Sequence, residues 1–453
     1  MRYVLAVAIT AMLAAACSGA PSSSGPPVAG SPTAPTTSGA VPSTPAQPAQ
    51  LTEYKSSVGR DPASTSTDAT MQQVVAADTS FAFSLYHELA DSSQSDVFLS
   101  PYSISTALSM VLAGARTETA AQIERVLGSS KITGWDQARN LLSIKLVEQL
   151  PTGIQGQAQP MTLETANAIF GQTGYPFEQP FLDLLARDYG AGLEGVDFAT
   201  QPDAARQAIN GWVDQQTADR IPNLLSPGSI DQFVRAVLVN TIYFKANWIN
   251  PFPANATTNE PFHRIDGTVL NVPMMHAGEF EMDYASGTGW SSVDLPYYGA
   301  DMLLIVPDAG HFAQVEKSVD PTFLADLNSA LANAYVTLSL PKWSTDDTTD
   351  LIPPLKSLGI TDLFDPNGAS DLSGVTTAEQ LFISDATHDA NITVDEQGTE
   401  AAAATALVAY PTARNSGMKT VTLTVDRPFI YLIRDQNTKE LLFMGQALDP
   451  GKS

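Results

Sequence analysis

Residues 394–409, VDEQGTEAAAATALVA, restrict what this chain can fold into more than any other stretch, because they satisfy two incompatible periods. Alanine is the best helix former, and Glu396 and Glu400 favour the amino end of a helix, so propensity alone predicts a helix. Read with period two, one face carries Thr399, Ala401, Ala403, Thr405, Leu407 and Ala409, all small or apolar, with Glu400 on the other face. Such a segment can slide into a packed sheet without clashes, and Gly398 supplies a flexible entry point. On local pattern both readings stand. A short way downstream lies LTVDRPFIYLI, residues 423–433, centred on Asp426, Arg427, Pro428 and Phe429.

In this order, near the carboxyl terminus, the two stretches resemble the reactive-loop hinge and the carboxy-terminal signature of serpins. The resemblance runs from near Thr70 to Pro450. It implies an α+β serpin fold: a large central mixed β-sheet with further sheets, about eight or nine helices, and an exposed reactive loop near the carboxyl terminus. The function it implies is inhibition of serine proteases, not enzymatic catalysis. The inhibitor acts as a suicide substrate whose cut loop inserts into the sheet and traps the covalently attached protease. The implied hinge is Glu396, Gly398, Thr399, Glu400, Ala401, Ala402, Ala403 and Ala404. Its inward face carries no bulky or charged residue to slow insertion, which favours an inhibitor over the non-inhibitory binding proteins of the family. The family's usual spacing puts the cut between Thr412 and Ala413, with Arg414 and Tyr410 as alternatives for the specificity residue. A small residue suits elastase-like proteases and an arginine trypsin-like ones, while Pro411 keeps the bait extended.

Composition narrows the partners. A formal charge of -25 argues against nucleic acids and polyanions, which no electrostatic attraction would favour. A hydrophobic content of 43% is enough for a sizeable core in a 453-residue chain. The sole cysteine, Cys17, allows no intramolecular disulfide and no cysteine-based metal site. It ends an apolar run that follows Arg2, and Ala14, Ala15, Ala16 and Cys17 resemble a lipoprotein cleavage box; an ordinary secretory signal cut after an A-x-A pattern is the other reading. Residues 1–17 are therefore expected to be a signal peptide, 18–66 a flexible tether poor in apolar residues, and 67–453 the folded domain. Lipid on Cys17 would anchor the protein to a membrane at the cell envelope, and without it the protein would be secreted. A monomer without cofactor or metal is expected.

Along the folded part, residues 71–89 suit an amphipathic helix. In VFLSPYSISTALSMVLAGA, Ser100 is placed to cap a buried helix that Pro101 opens. The resemblance places Ser100 and Ser103 in the shutter through which the loop enters, with Asn240 and His388, the imidazole hydrogen-bonded to Asn240. Trp248 matches the tryptophan where the loop first meets the sheet. Residues 208–225 read as a helix and turn, and 234–252 as a central strand rich in Val, Ile and aromatics. Asp266 and Gly267 signal a hairpin; residues 295–308 and 336–343 read as strands, 351–364 as a helix ending near Gly359, and 381–400 as a strand feeding the hinge. Asp346, Asp347 and Asp350 read as a solvated turn.

A tethered hydrolase is the remaining class. Five histidines and many serines are present, but no G-x-S-x-G elbow and no H-E-x-x-H, so a triad would have to come from distant residues.

Overall fold

The run AVLVNTIYFKAN has no alternation of polar and apolar residues, and β-branched and aromatic side chains fill it, so it must be covered on both faces. It forms β5 (Ala236–Asn247), with every residue buried except the half-exposed Lys245 and Asn247. The structure, a computed structural model, describes residues 51–92, 95–148, 161–217, 221, 223–399 and 417–451. The first sheet runs in the order β1 (Thr52–Tyr54), β4 (Leu193–Val196), β3 (Thr162–Gln172), β5, β13 (Gly398–Thr399), β12 (Asp385–Val394) and β11 (Trp343–Asp350). The second runs β14 (Lys419–Thr424), β10 (Ala332–Pro341), β7 (Val269–Gly287), β8 (Trp290–Pro296), β9 (Ala300–Pro307), β15 (Phe429–Asp435), β16 (Leu441–Ala447) and β2 (Val97–Leu99), with β6 (Thr258–His263) paired to β7.

Nine α-helices lie among the described residues: α1 (Asp68–Ser92), α2 (Pro101–Gly114), α3 (Thr117–Leu127), α4 (Trp135–Glu148), α5 (Gln179–Leu184), α6 (Pro202–Gln216), α7 (Phe312–Ser318), α8 (Pro321–Ala330) and α9 (Ile352–Leu358). Helix α2 is buried nearly all round, and Ser105, Thr106 and Ser109 meet that burial by donating their hydroxyls to carbonyls of the preceding turn. Its start is as expected: Ser100 accepts from the Ser103 N–H at 3.2 Å, and Pro101 fills the first turn, where no N–H is needed. On the sheet's other face, Ile209 and Val213 of α6 pack against Phe170, Val237 and Val239 in a second, smaller core.

Several boundaries differ from the sequence reading. Residues 295–308 are not one strand: a turn through Gly299, at φ +102°, separates β8 from β9. Between β10 and β11, Lys342 donates its N–H to Pro273 as the chain crosses from the second sheet to the first. Asp346, Asp347 and Asp350 lie in strand β11 rather than a turn, because β12 supplies a full ladder for this edge segment. Residues 51–66 belong by composition to the expected tether, yet they run along the body, with β1 paired to β4. Helix α9 stops at Gly359, φ +111°, and the β6–β7 hairpin turns through Gly267, as read.

Candidate functional site

Strands β5 and β12 are parallel neighbours over six pairs, from Asp385 with Val237 to Ala390 with Ile242. Beyond these they part, and β13 sits between them, antiparallel to both: Gly398 faces Asn247, Thr399 faces Ala246, and Thr399 faces Val394. The turn that brings the chain back follows from Asp395, whose carboxylate accepts from the Gln397 N–H at 2.8 Å while its own N–H bonds to the Gly398 carbonyl at 2.9 Å. Only glycine fits at 398, where φ is +149° and a Cβ would lie 2.1 Å from the Ala246 oxygen.

Side chains from several separate segments hold this corner. The Thr399 hydroxyl is fully buried and bonds to that of Tyr297 at 2.7 Å. The Tyr297 ring stacks on Trp248, centroids 4.0 Å apart and planes at 12°. Trp248 donates its indole N–H to the Asp395 carbonyl at 3.0 Å and its backbone N–H to Gln397 at 2.9 Å. Glu396 bonds to Lys342 Nζ at 2.9 Å and accepts from the Thr257 hydroxyl at 2.7 Å. Partial burial acts to raise its pKa, but the ammonium and the hydroxyl outweigh it and hold the carboxyl below the usual glutamate range.

Midway down the sheet a second cluster bolts β5 and β12 together. His388 stands opposite Asn240 in the ladder, its Nδ1 2.5 Å from Asn240 Oδ1, while its Nε2 accepts from the Ser100 N–H at 3.1 Å. Since Nε2 accepts, the proton is on Nδ1 and the ring is neutral. Burial favours that state and pushes the pKa down to about 3. Asn240 donates to Ser103 Oγ at 2.7 Å and to Asn167 Oδ1 at 2.6 Å, and Ser100 Oγ donates to the Leu442 carbonyl at 2.7 Å. All of these bonds are internal. The cluster ties β5 to β3, β12 and α2, and its imidazole offers no basic nitrogen to solvent.

The structure thus brings together Ser100, Ser103, Asn240 and His388 in one cluster and Glu396, Gly398, Thr399 and Trp248 in another. Asn167, Tyr297 and Lys342 escaped the sequence reading. Asn167 left a signal, a lone amide inside the apolar strand ETANAIFG; Tyr297 left none, since its role depends on a ring stack between distant segments. Glu400, Ala401, Ala402, Ala403 and Ala404 of the hinge, the candidate bond residues Tyr410, Thr412, Ala413 and Arg414, and Cys17 lie outside the described residues.

Comparison with known proteins agrees with this architecture. A family model described as serpin (serine protease inhibitor) matches residues 76–450. An uncharacterized serpin-like protein of Thermococcus kodakarensis is 36% identical over 385 residues, 83% of this chain and 86% of its own. The leukocyte elastase inhibitor of Bos taurus is 35% identical over 394 residues, 84% of this chain and all of its own. Uncleaved ovalbumin superposes with a TM-score of 0.72 at 27% identity, over 83% of this chain and 100% of that one. With the family's model matching residues 76–450 and relatives at 35% and 36% identity aligned over most of both chains, this chain belongs to the serpin family.

Proposed function

We propose that this protein inhibits serine proteases as a suicide substrate, by inserting its cleaved loop between β5 and β12. The observation that supports the reading is the short strand itself: Gly398 and Thr399 already pair where β5 and β12 part, and the same two strands run on as direct neighbours that a longer inserted strand would have to separate. In the proposed reaction a protease serine Oγ attacks the Thr412 carbonyl carbon, the bond to Ala413 breaks, and the Ala413 amine leaves with a proton. The resulting ester awaits water. Insertion that outruns hydrolysis carries the protease along and distorts it before deacylation.

The driving force is a set of new ladder hydrogen bonds, each worth about 1 kcal/mol net, plus burial of the small-residue face of residues 399–409. Thr412 suits the small specificity pocket of elastase-like proteases, and one relative is named a leukocyte elastase inhibitor. Cutting after Arg414 would select trypsin-like enzymes instead. Anchorage through lipid on Cys17 belongs to the same proposal and rests on the cleavage-box pattern alone.

The test is incubation with elastase and with trypsin followed by denaturing gels. We expect an SDS-stable band of higher mass with elastase, lost in Thr399→Arg, because the fully buried seat of Thr399 cannot take a guanidinium. Complex formation that survives this substitution would overturn the mechanism. One observation favours a hydrolase: His276 links Ser339 Oγ at 2.9 Å to Glu260 Oε1 at 2.8 Å, a serine, imidazole and carboxylate in a row. Ester hydrolysis by the protein alone, abolished in Ser339→Ala, would put that reading first.

A further inference from the structure

Residues 51–61 do something the seated hinge does not explain. Strand β1 pairs antiparallel with β4, Thr52 to Gly195 through Tyr54 to Leu193, at the outer edge of the first sheet. Tyr54 then anchors the edge: its hydroxyl accepts from the Gly174 N–H at 2.9 Å, and its ring meets Phe177 edge-on, centroids 4.8 Å apart. From there the chain leaves the sheet for the helices. Ser56 donates to Asp183 at 2.5 Å, and the Asp61 N–H bonds to the Arg187 carbonyl at 2.9 Å. Arg60 donates to Asn140 Oδ1 at 3.1 Å and to Ser143 Oγ at 2.8 Å, while Asn140 Nδ2 reaches the Asp61 carbonyl at 2.9 Å.

The sequence beneath is cut to receive this segment. A Cβ on Gly195 would lie 2.4 Å from the Tyr54 ring, and one on Gly192 would lie 3.2 Å from the Tyr54 carbonyl oxygen. A Cβ on Gly190 would meet the Arg60 side chain at 3.0 Å. Gly192 and Gly195 need no left-handed backbone, since among the three only Gly190 has a positive φ, +64°. Close approach of residues 52–60 therefore accounts for glycine at 192 and 195.

We propose that residues 52–61 form a strap that restrains opening of the first sheet and so keeps the uncut molecule from seating its own loop. Another strand between β5 and β12 requires them to separate by one further strand spacing, about 4.8 Å. Strand β3 follows β5, to which it is bonded over ten pairs, and β4 follows β3, so β4, β3 and β5 travel as one leaf. Helix α4 is fixed elsewhere: Arg139 binds both oxygens of Asp78 on α1 at 2.9 Å, inside the core. The strap joins leaf to helix. It must be peeled or stretched whenever the leaf moves.

This inference rests on the insertion mechanism proposed above, so the experiment has a separate arm for each. Full-length wild type, Tyr54→Ala/Arg60→Ala and Gly195→Ala are aged at 37 °C without protease, and complex formation and melting temperature are followed together. Both variants should lose complex formation about tenfold faster than wild type, ~1.4 kcal/mol of barrier, while the melting temperature of the uncut protein rises as the loop seats. Variants ageing at the wild-type rate would overturn the strap. Gly195→Ala keeps every strap side chain and decides alone should the double variant fail to fold. Wild type nicked in the loop is the control for insertion: no rise in its melting temperature would sink the mechanism whatever the variants do.

Discussion

His388 shows how one residue couples the sheet's lock to pH. Buried neutral, with a pKa pushed down to about 3, it leaves the folded state one proton short of the unfolded chain wherever the free imidazole is charged. Its contribution to stability is therefore whole above pH 6.5, the ordinary histidine value, and falls as pH drops toward 3, by up to ~1.4 kcal/mol per pH unit. In His388→Gln the melting temperature at pH 7 should fall through loss of the Ser100 and Asn240 bonds, and this imidazole's share of the acid sensitivity should vanish. The measurement is the wild-type minus variant difference in unfolding free energy from pH 7 to 4, which cancels the carboxylates common to both. A difference that stays constant over that range would mean His388 titrates normally. Single residues were also where the sequence spoke most clearly. Ser100, Gly267, Gly359 and Gly398 announced their places because each meets a local backbone need that few side chains can meet.

At the scale of elements, what could be read was what has a period or a cap. Buried α2 was legible from its cap and first-turn proline, central β5 from its β-branched and aromatic content, and the hairpin from its turn. Strand β11 was not, because its acidic residues are tolerated only at an edge where β12 provides the ladder, and pairing partners are not written locally. Asn167 belongs with it. It ties β3 to β5 and to α2 by accepting from Asn240 and, at 3.0 Å, from Ser103. Asn167→Ala should strand these donors and cost about 2 kcal/mol, read as a lower urea midpoint at unchanged m. An unchanged midpoint would show that the amide carries no share of the lock. Of the corner around β13, Glu396, Gly398, Thr399 and Trp248, which the structure places together, were singled out through the family resemblance. Tyr297 and Lys342 were not, since stacking and ion pairing join segments far apart in sequence.

At the scale of the whole molecule, the first sheet is held at three places: the hinge corner, the cluster around His388, and the strap at its outer edge. If the proposed insertion follows cutting, it should release more stability than these contacts supply, because roughly ten new ladder bonds would outweigh the few that part. The nicked protein should therefore melt roughly 10–20 °C higher than the intact one by calorimetry. Equal melting temperatures would mean that no further strand enters.

The two seated residues at the head of the sheet have one more consequence. A free end searching for a groove must first close a long chain segment, an entropic toll that grows with its length. Gly398 already pairs with β5, and Thr399 with both β5 and β12, so under the proposed insertion everything after cleavage would be propagation, each rung laid beside one already formed. On that proposal the molecule would work as a zipper whose slider is engaged before anything pulls on it.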